Sequence, residues 1–124
     1  MIMNNDVVYF VTGLELSSYG YEELSLKTRT FGWFFSYEDA KRLVLRNAAD
    51  IAEGGTFNWA VIEGVKSQLY VHYAISQNFF EYRGDGDIDG DFFNVYEERN
   101  HLPKSIIDFC EKEHIYTDYF TSIG

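Results

Sequence analysis

The sequence predicts an α+β domain, a mostly antiparallel sheet with one long helix after the second strand and a shorter C-terminal helix. Three observations carry this reading. Strand-length runs rich in Val, Thr and aromatic residues recur along the chain, one segment beginning at Ser36 has helical periodicity, and Pro103 opens a second amphipathic run. The order strand, strand, helix, three or four strands, helix belongs to that class. With 124 residues and no repeat, low-complexity run or Pro/Ser linker, the chain reads as a single domain, 1–124.

Residues 6-DVVYFVTGL-14 read as a strand, closed by a glycine near its end. The polar stretch 15–25 reads as a loop or the open end of a hairpin, and 26-LKTRTFGWFF-35 as the second strand. Ser36 then caps a helix with Glu38 and Asp39 in its first turn. Its apolar stripe is Ala40, Leu43, Val44, Ala48 and Ile51, and Gly54 and Gly55 stop it. Glu38–Arg42 and Arg46–Asp50 are spaced as i,i+4 ion pairs on the solvent side. Two strands follow, 57–65 and 69–76, joined by a turn around Lys66 and Ser67. The run 79–83 continues strand-like, and 92–98 pairs back across an aspartate-rich turn. Pro103 fits the first turn of a helix reaching about Glu113, with Ile106, Ile107 and Cys110 inward. The tail 115–124 is apolar enough to dock.

Composition narrows the function. The net charge of −10 opposes direct binding to nucleic-acid backbones, which relies on lysines and arginines that displace counterions. No window has the apolar length of a membrane span, and no leader of the basic-then-apolar type opens the chain, so a soluble intracellular protein is expected. The single Cys110 precludes an internal disulfide and agrees with a reducing compartment. There are 2 Trp, 10 Tyr and 11 Phe, more rings than a small domain buries completely. Some are expected to line a pocket or a subunit interface.

The acidic turn deserves a separate test. Asp85, Asp87, Asp89, Gly90 and Asp91 follow the opening of an EF-hand calcium loop, yet position twelve is Tyr96 and Glu97 comes one residue late. The flanks read as strands, so an acidic hairpin turn is the better reading, with no metal assigned. His72, His101 and His114 are scattered and match no zinc spacing. The chain has no nucleophile elbow, P-loop or dinucleotide fingerprint, so no enzyme and no cofactor are expected. The cations are more informative. In 27-KTRT-30, Lys27 and Arg29 share one strand face and Thr28 and Thr30 the other, a combination suited to phosphate. Trp33, Phe34, Phe35, Phe79, Phe80 and Tyr82 supply flat surfaces for a base.

Taken in order, 29-RTFGWFFSYEDAKRLVLRNAADIAEGG-55, 59-WAVIEGV-65, 79-FFEY-82 and the terminal Ile123-Gly124 resemble small phage-type proteins of the first-described Thoeris anti-defence family, over most of the chain. The resemblance implies a non-catalytic sponge. Members of that family sequester cyclic ADP-ribose isomers made by bacterial TIR proteins, and some take up cyclic oligonucleotides at a separate site. They are symmetric homo-oligomers built on dimers, which places this chain in the cytoplasm of an infected bacterial host. Carried over residue by residue, Phe80, with Phe79 beside it, would stack on the adenine, and Asn94 would make amide contacts. Arg29 and Thr30 match the phrase associated with the cyclic oligonucleotide site. Arg99, Lys104 or Lys112 would meet the pyrophosphate. The turn at 84–91 stands as an insertion, and Lys112 and His114 lie among acids where the family pattern has arginines. The alternative reading is an acidic, DNA-mimic inhibitor of a basic protein, whose binding would collapse in salt. A weak calcium module, which a calcium titration without heat would exclude, stands behind both.

Overall fold

Strand β1 (Val7–Ser17) lies inside a five-stranded sheet of order β2-β1-β3-β4-β5, in a computed structural model that describes residues 7–17, 24–47, 51, 57, 59–66, 74–84, 93–99 and 101–121. The other elements are β2 (Ser25–Phe34), α1 (Tyr37–Arg46), β3 (Trp59–Lys66), β4 (Ser76–Gly84), β5 (Phe93–Arg99) and α2 (Lys104–Lys112). Every neighbouring pair of strands is antiparallel. Strands β2 and β3 both run antiparallel to β1, so the passage β2–α1–β3 steps over β1 between two strands of the same direction. The expected α+β class with an antiparallel sheet and two helices therefore holds.

The two helices cover opposite faces. Ala40 and Val44 of α1 pack with Val11, Ala60, Ile62, Phe80 and Tyr82. Ile106 and Cys110 of α2, with Leu102 and Phe120, pack with Leu14, Trp59, Val61 and Phe79. Neighbours along β3 thus belong to different cores, which explains why the strand is buried continuously from Trp59 to Val65. Each fully buried Val, Leu, Ile or Phe contributes roughly 1.5–3 kcal/mol, and the double-sided sheet draws that from both faces of its central strands.

Several expectations need correction. Helix α1 is not long: it spans ten residues and stops at Asn47, which adopts φ 48° and turns its N–H onto the carbonyls of Leu43 and Val44. Asn tolerates the left-handed conformation and closes the helix before the glycines are reached. Ile51 is nonetheless fully buried in the α1-side core, so its place in the apolar stripe reported burial rather than helicity. Arg42 pairs with Asp39 at 3.4 Å instead of Glu38, and Asp50 lies outside the described residues. Strand β1 runs through 15–17, which had read as loop. Of the strand expected at 69–76, residues 69–73 lie outside the described residues, Ala74 and Ile75 are outside any strand and Ser76 opens β4, which also takes in 79–83.

Candidate functional site

The phrase 27-KTRT-30 lies on β2, an edge strand with β1 on one side only. Its register with β1 shifts between Val11 and Thr12: Thr12 pairs with Thr30 and Val11 with Gly32, leaving Phe31 as the extra residue. This bulge resets the alternation of side chains. Phe31 and Phe34 pack on the α1-side core, while Trp33 pairs with Phe10, an even-numbered β1 neighbour of the opposite face. Odd-numbered Phe31 and Trp33, which simple alternation puts together, are separated by one bulge.

On the α1 side of β2 the exposed Arg29 holds its guanidinium 5.0 Å from the ring centroid of Phe31. Phe31 meets Phe57 edge-on at 5.7 Å. Phe57 adopts φ 48°, uncommon for an aromatic residue, and its N–H donates to the buried Glu15 carboxylate at 3.1 Å. On the other side, Trp33 and Phe35 are 53% and 59% exposed and form an edge-to-face pair at 5.2 Å. Thr30 is tied inward: its hydroxyl lies 3.0 Å from that of Thr12, which lies 3.3 Å from that of Thr121.

The remaining residues singled out from the sequence occupy other parts of the fold. Phe80 is fully buried in the α1-side core, and Phe79 is 3% exposed in the opposite core, edge-on to Phe120 at 6.4 Å. Neither ring offers a free face to a base in this chain, because the strand carrying them is covered on both sides. Tyr82 is also core, its hydroxyl donating to the Val44 carbonyl at 2.6 Å. Asn94 and Arg99 stand on β5, opposite Arg83 and Phe79, and their side chains are outside the described residues. Lys104 is exposed at the first position of α2, and Lys112 and His114 are exposed at its far end. Strands β2 and β5 are the two edges of the sheet, four strand spacings or about 19 Å apart. One small ligand cannot touch Arg29 and Asn94 of the same chain.

Charge follows the same division. Five of the ten lysines and arginines lie between Lys27 and Arg46, with only Glu38 and Asp39 among them. The β2–α1 segment is therefore locally positive in a chain of net charge −10.

A densely bonded buried polar group among the described residues went unnoticed in the sequence. Glu63, at 0% exposure, accepts from Phe120 N–H at 3.1 and 2.9 Å, from Thr121 N–H at 2.7 Å and from the Thr121 hydroxyl at 2.6 Å. The Gln77 side-chain amide donates to it at 2.8 Å and to the Thr117 carbonyl at 3.0 Å. The signal was present as a lone acid inside the apolar run 57-FNWAVIEGV-65. Its site is filled by the chain's own tail, so it acts as a clamp. Nearby, burial raises the Tyr119 hydroxyl above its ordinary range, the charge of Glu63 adds to this, and a hydrogen bond with Thr121 offsets part of it. Burial likewise pushes the Cys110 thiol up, which keeps it in the unreactive protonated form.

Among the described residues no group of three His, Cys, Asp or Glu converges as a metal site, and the calcium-like turn at 85–91 falls outside them, as does His72. His101 is exposed, its Nδ1 3.2 Å from the Leu102 carbonyl. Among the described residues no helix is long and apolar enough to cross a membrane. Comparison with protein-family models, with curated proteins and with solved structures finds no match to this chain.

Proposed function

We propose that this protein is a non-catalytic binding protein that captures a cyclic nucleotide signal, such as an isomer of cyclic ADP-ribose, and so withholds it from an antiviral response. The observation that supports this best is the exposed Trp33–Phe35 ring pair at the end of the edge strand that also carries Arg29, in a positive segment of an acidic chain. Stacking on rings gives a base affinity without hydrolysing anything, and a guanidinium adds planar contacts to phosphate. With Phe79 and Phe80 in the core, the base falls to Trp33; Arg29, on the other face of the same edge strand, would meet the phosphate around the strand's open edge, and Thr30 is engaged inward with Thr12. The second set, Asn94, Arg99 and Lys104, belongs to the other edge. A homodimer, or a multiple of it, brings that edge of one copy to a ligand that its own β2 edge cannot reach.

The test is a titration of the purified protein with cyclic ADP-ribose isomers, cyclic di- and trinucleotides and linear ADP-ribose, read by thermal unfolding and tryptophan fluorescence. A ligand at a thousandfold excess over Kd stabilises the folded state by about 4 kcal/mol. Trp33 is 53% exposed and Trp59 only 6%, so quenching that disappears in Trp33→Phe locates the base. Release of the ligand intact after heating separates a sponge from an enzyme. No shift with any cyclic nucleotide would refute the proposal.

A further inference from the structure

We infer that the surface between the end of β2 and the outer side of α1 is a second binding site, for a compact phosphorylated aromatic molecule of mononucleotide size. It is a depression of about 280 Å³ lined by Phe34, Asp39, Arg42, Leu43 and Arg46. The topology explains why it is open: β2 is an edge strand, and among the described residues no further strand fills the space beside the helix. Phe34 follows Trp33 in the chain but packs on the opposite face of β2, and the inference does not rest on the function proposed for Trp33 and Arg29.

The lining divides into an apolar floor and a charged wall. Phe34 and Leu43 are half-buried and packed on the α1-side core, so the floor is held in place from beneath. Arg42 and Arg46 are one helical turn apart, which puts their Cβ atoms about 5–6 Å from each other. Two like charges at that spacing disfavour the helix when nothing lies between them, and an anion reverses the sign. Two guanidiniums on one helix face that can turn to the same phosphate, with a ring beside them, favour a phosphate joined to a planar group.

Among the described residues of the lining and the helix end, two charges oppose an anion, and neither is large enough to prevent it. Asp39 lies 3.4 Å from Arg42, but both side chains are more than half exposed, at 53% and 59%, and such a pair exchanges readily. Once Arg42 turns to a phosphate, the Asp39 carboxylate is left as an acceptor for a sugar hydroxyl. The C-terminal end of α1 carries about half an elementary negative charge. The N–H of Asn47 already covers two of its carbonyls, and two whole positive charges exceed what remains. Size then sets the class. Small-molecule pockets commonly run from about 300 to 1,000 Å³, and this depression of about 280 Å³ lies at the low end, so a mononucleotide matches its size while a cyclic di- or trinucleotide would extend beyond its lining.

The experiment is calorimetry on the full chain at low ionic strength, with adenosine monophosphate, adenosine and inorganic phosphate as separate probes. Adenosine monophosphate is expected to bind at least tenfold more tightly than either fragment. Arg42→Gln and Arg46→Gln, both at exposed positions that leave folding intact, are each expected to weaken it tenfold or more, and Lys66→Gln to leave it unchanged. Phe34→Leu is expected to remove the preference over inorganic phosphate. Failure to detect heat with millimolar adenosine monophosphate, or equal affinity in the double variant, overturns the inference, as does inorganic phosphate binding as tightly as the nucleotide. Quenching of Trp33 by a cyclic nucleotide is expected to survive in the double variant, so the two sites succeed or fail independently.

Discussion

Replacing Glu63 by glutamine changes one atom in the centre of the molecule, and the structure says how much that should cost. The carboxylate accepts from four donors, three of them on Phe120 and Thr121 and the fourth on Gln77. A hydrogen bond to a charged acceptor contributes about 1.5–3 kcal/mol and a neutral one about 0.5–1.5 kcal/mol. An amide of the same shape retains its oxygen for the tail, so three bonds each lose about 1 kcal/mol. Its new N–H₂ faces the donating amide of Gln77. Turning Gln77 over restores that contact and breaks its bond to the Thr117 carbonyl at 3.0 Å. The expected loss is about 3–4 kcal/mol, a large part of the roughly 5–15 kcal/mol that holds a domain folded.

Glu63→Met should be no better, because the backbone N–H groups of Phe120 and Thr121 remain and each costs about 1–3 kcal/mol when stranded. This distinguishes the clamp from a buried ion pair, both of whose partners can be exchanged for apolar groups. The assay is urea unfolding of wild type and Glu63→Gln, with hydrogen exchange at residues 120 and 121. At roughly 4 °C per kcal/mol for a chain of this size, Tm should fall by about 12 °C or more. A Glu63→Gln protein within about 0.5 kcal/mol of wild type, with protection at Phe120 and Thr121 unchanged, would show that burial of the Phe120 ring alone holds the tail.

Two further substitutions test the sheet. In Gly13→Ala the added Cβ would stand 2.8 Å from Cε2 of Phe31 and 3.1 Å from Phe57, so overpacking of about 1–3 kcal/mol is expected in denaturant midpoints. Tyr82→Phe removes the bond to the Val44 carbonyl and should cost about 1–2 kcal/mol at neutral pH. Burial raises the Tyr82 pKa above its ordinary 10.0, so its contribution is fully present below pH 10.0 and is lost as pH rises through the folded-state value. The stability gap between wild type and Tyr82→Phe should therefore begin to narrow above pH 10.0, and a constant gap between pH 8 and 11 would contradict the assignment.

Much of the fold was readable because it depends on local pattern. Ser36 caps α1 through its hydroxyl, which accepts from Asp39 N–H at 3.4 Å, as expected from its type and place. The strand at 92–98 does pair back on β4, and Ile106 and Cys110 do face inward. The errors came where two local rules competed. An apolar stripe reaching Ile51 argued for a long helix, and Asn47 ended it because a left-handed cap overrides periodicity.

The candidate sites were less readable, for a physical reason. Residue types in the sequence tell which side chains can stack or bind phosphate, and Arg29, Thr30, Trp33 and Phe80 were fair choices on chemistry. Exposure is a property of what lies above and below a strand. From the sequence by itself follow the α+β class, the acidic charge, the surplus of rings and the pair of cations in 27-KTRT-30. Tertiary structure alone decided that α1 and α2 cover opposite faces, which buries Phe79 and Phe80 and leaves Trp33 and Phe35 bare at the edge. It also carried Glu63 to the tail 57 residues further along, because hydrogen bonds close over distances in space that no spacing along the chain records.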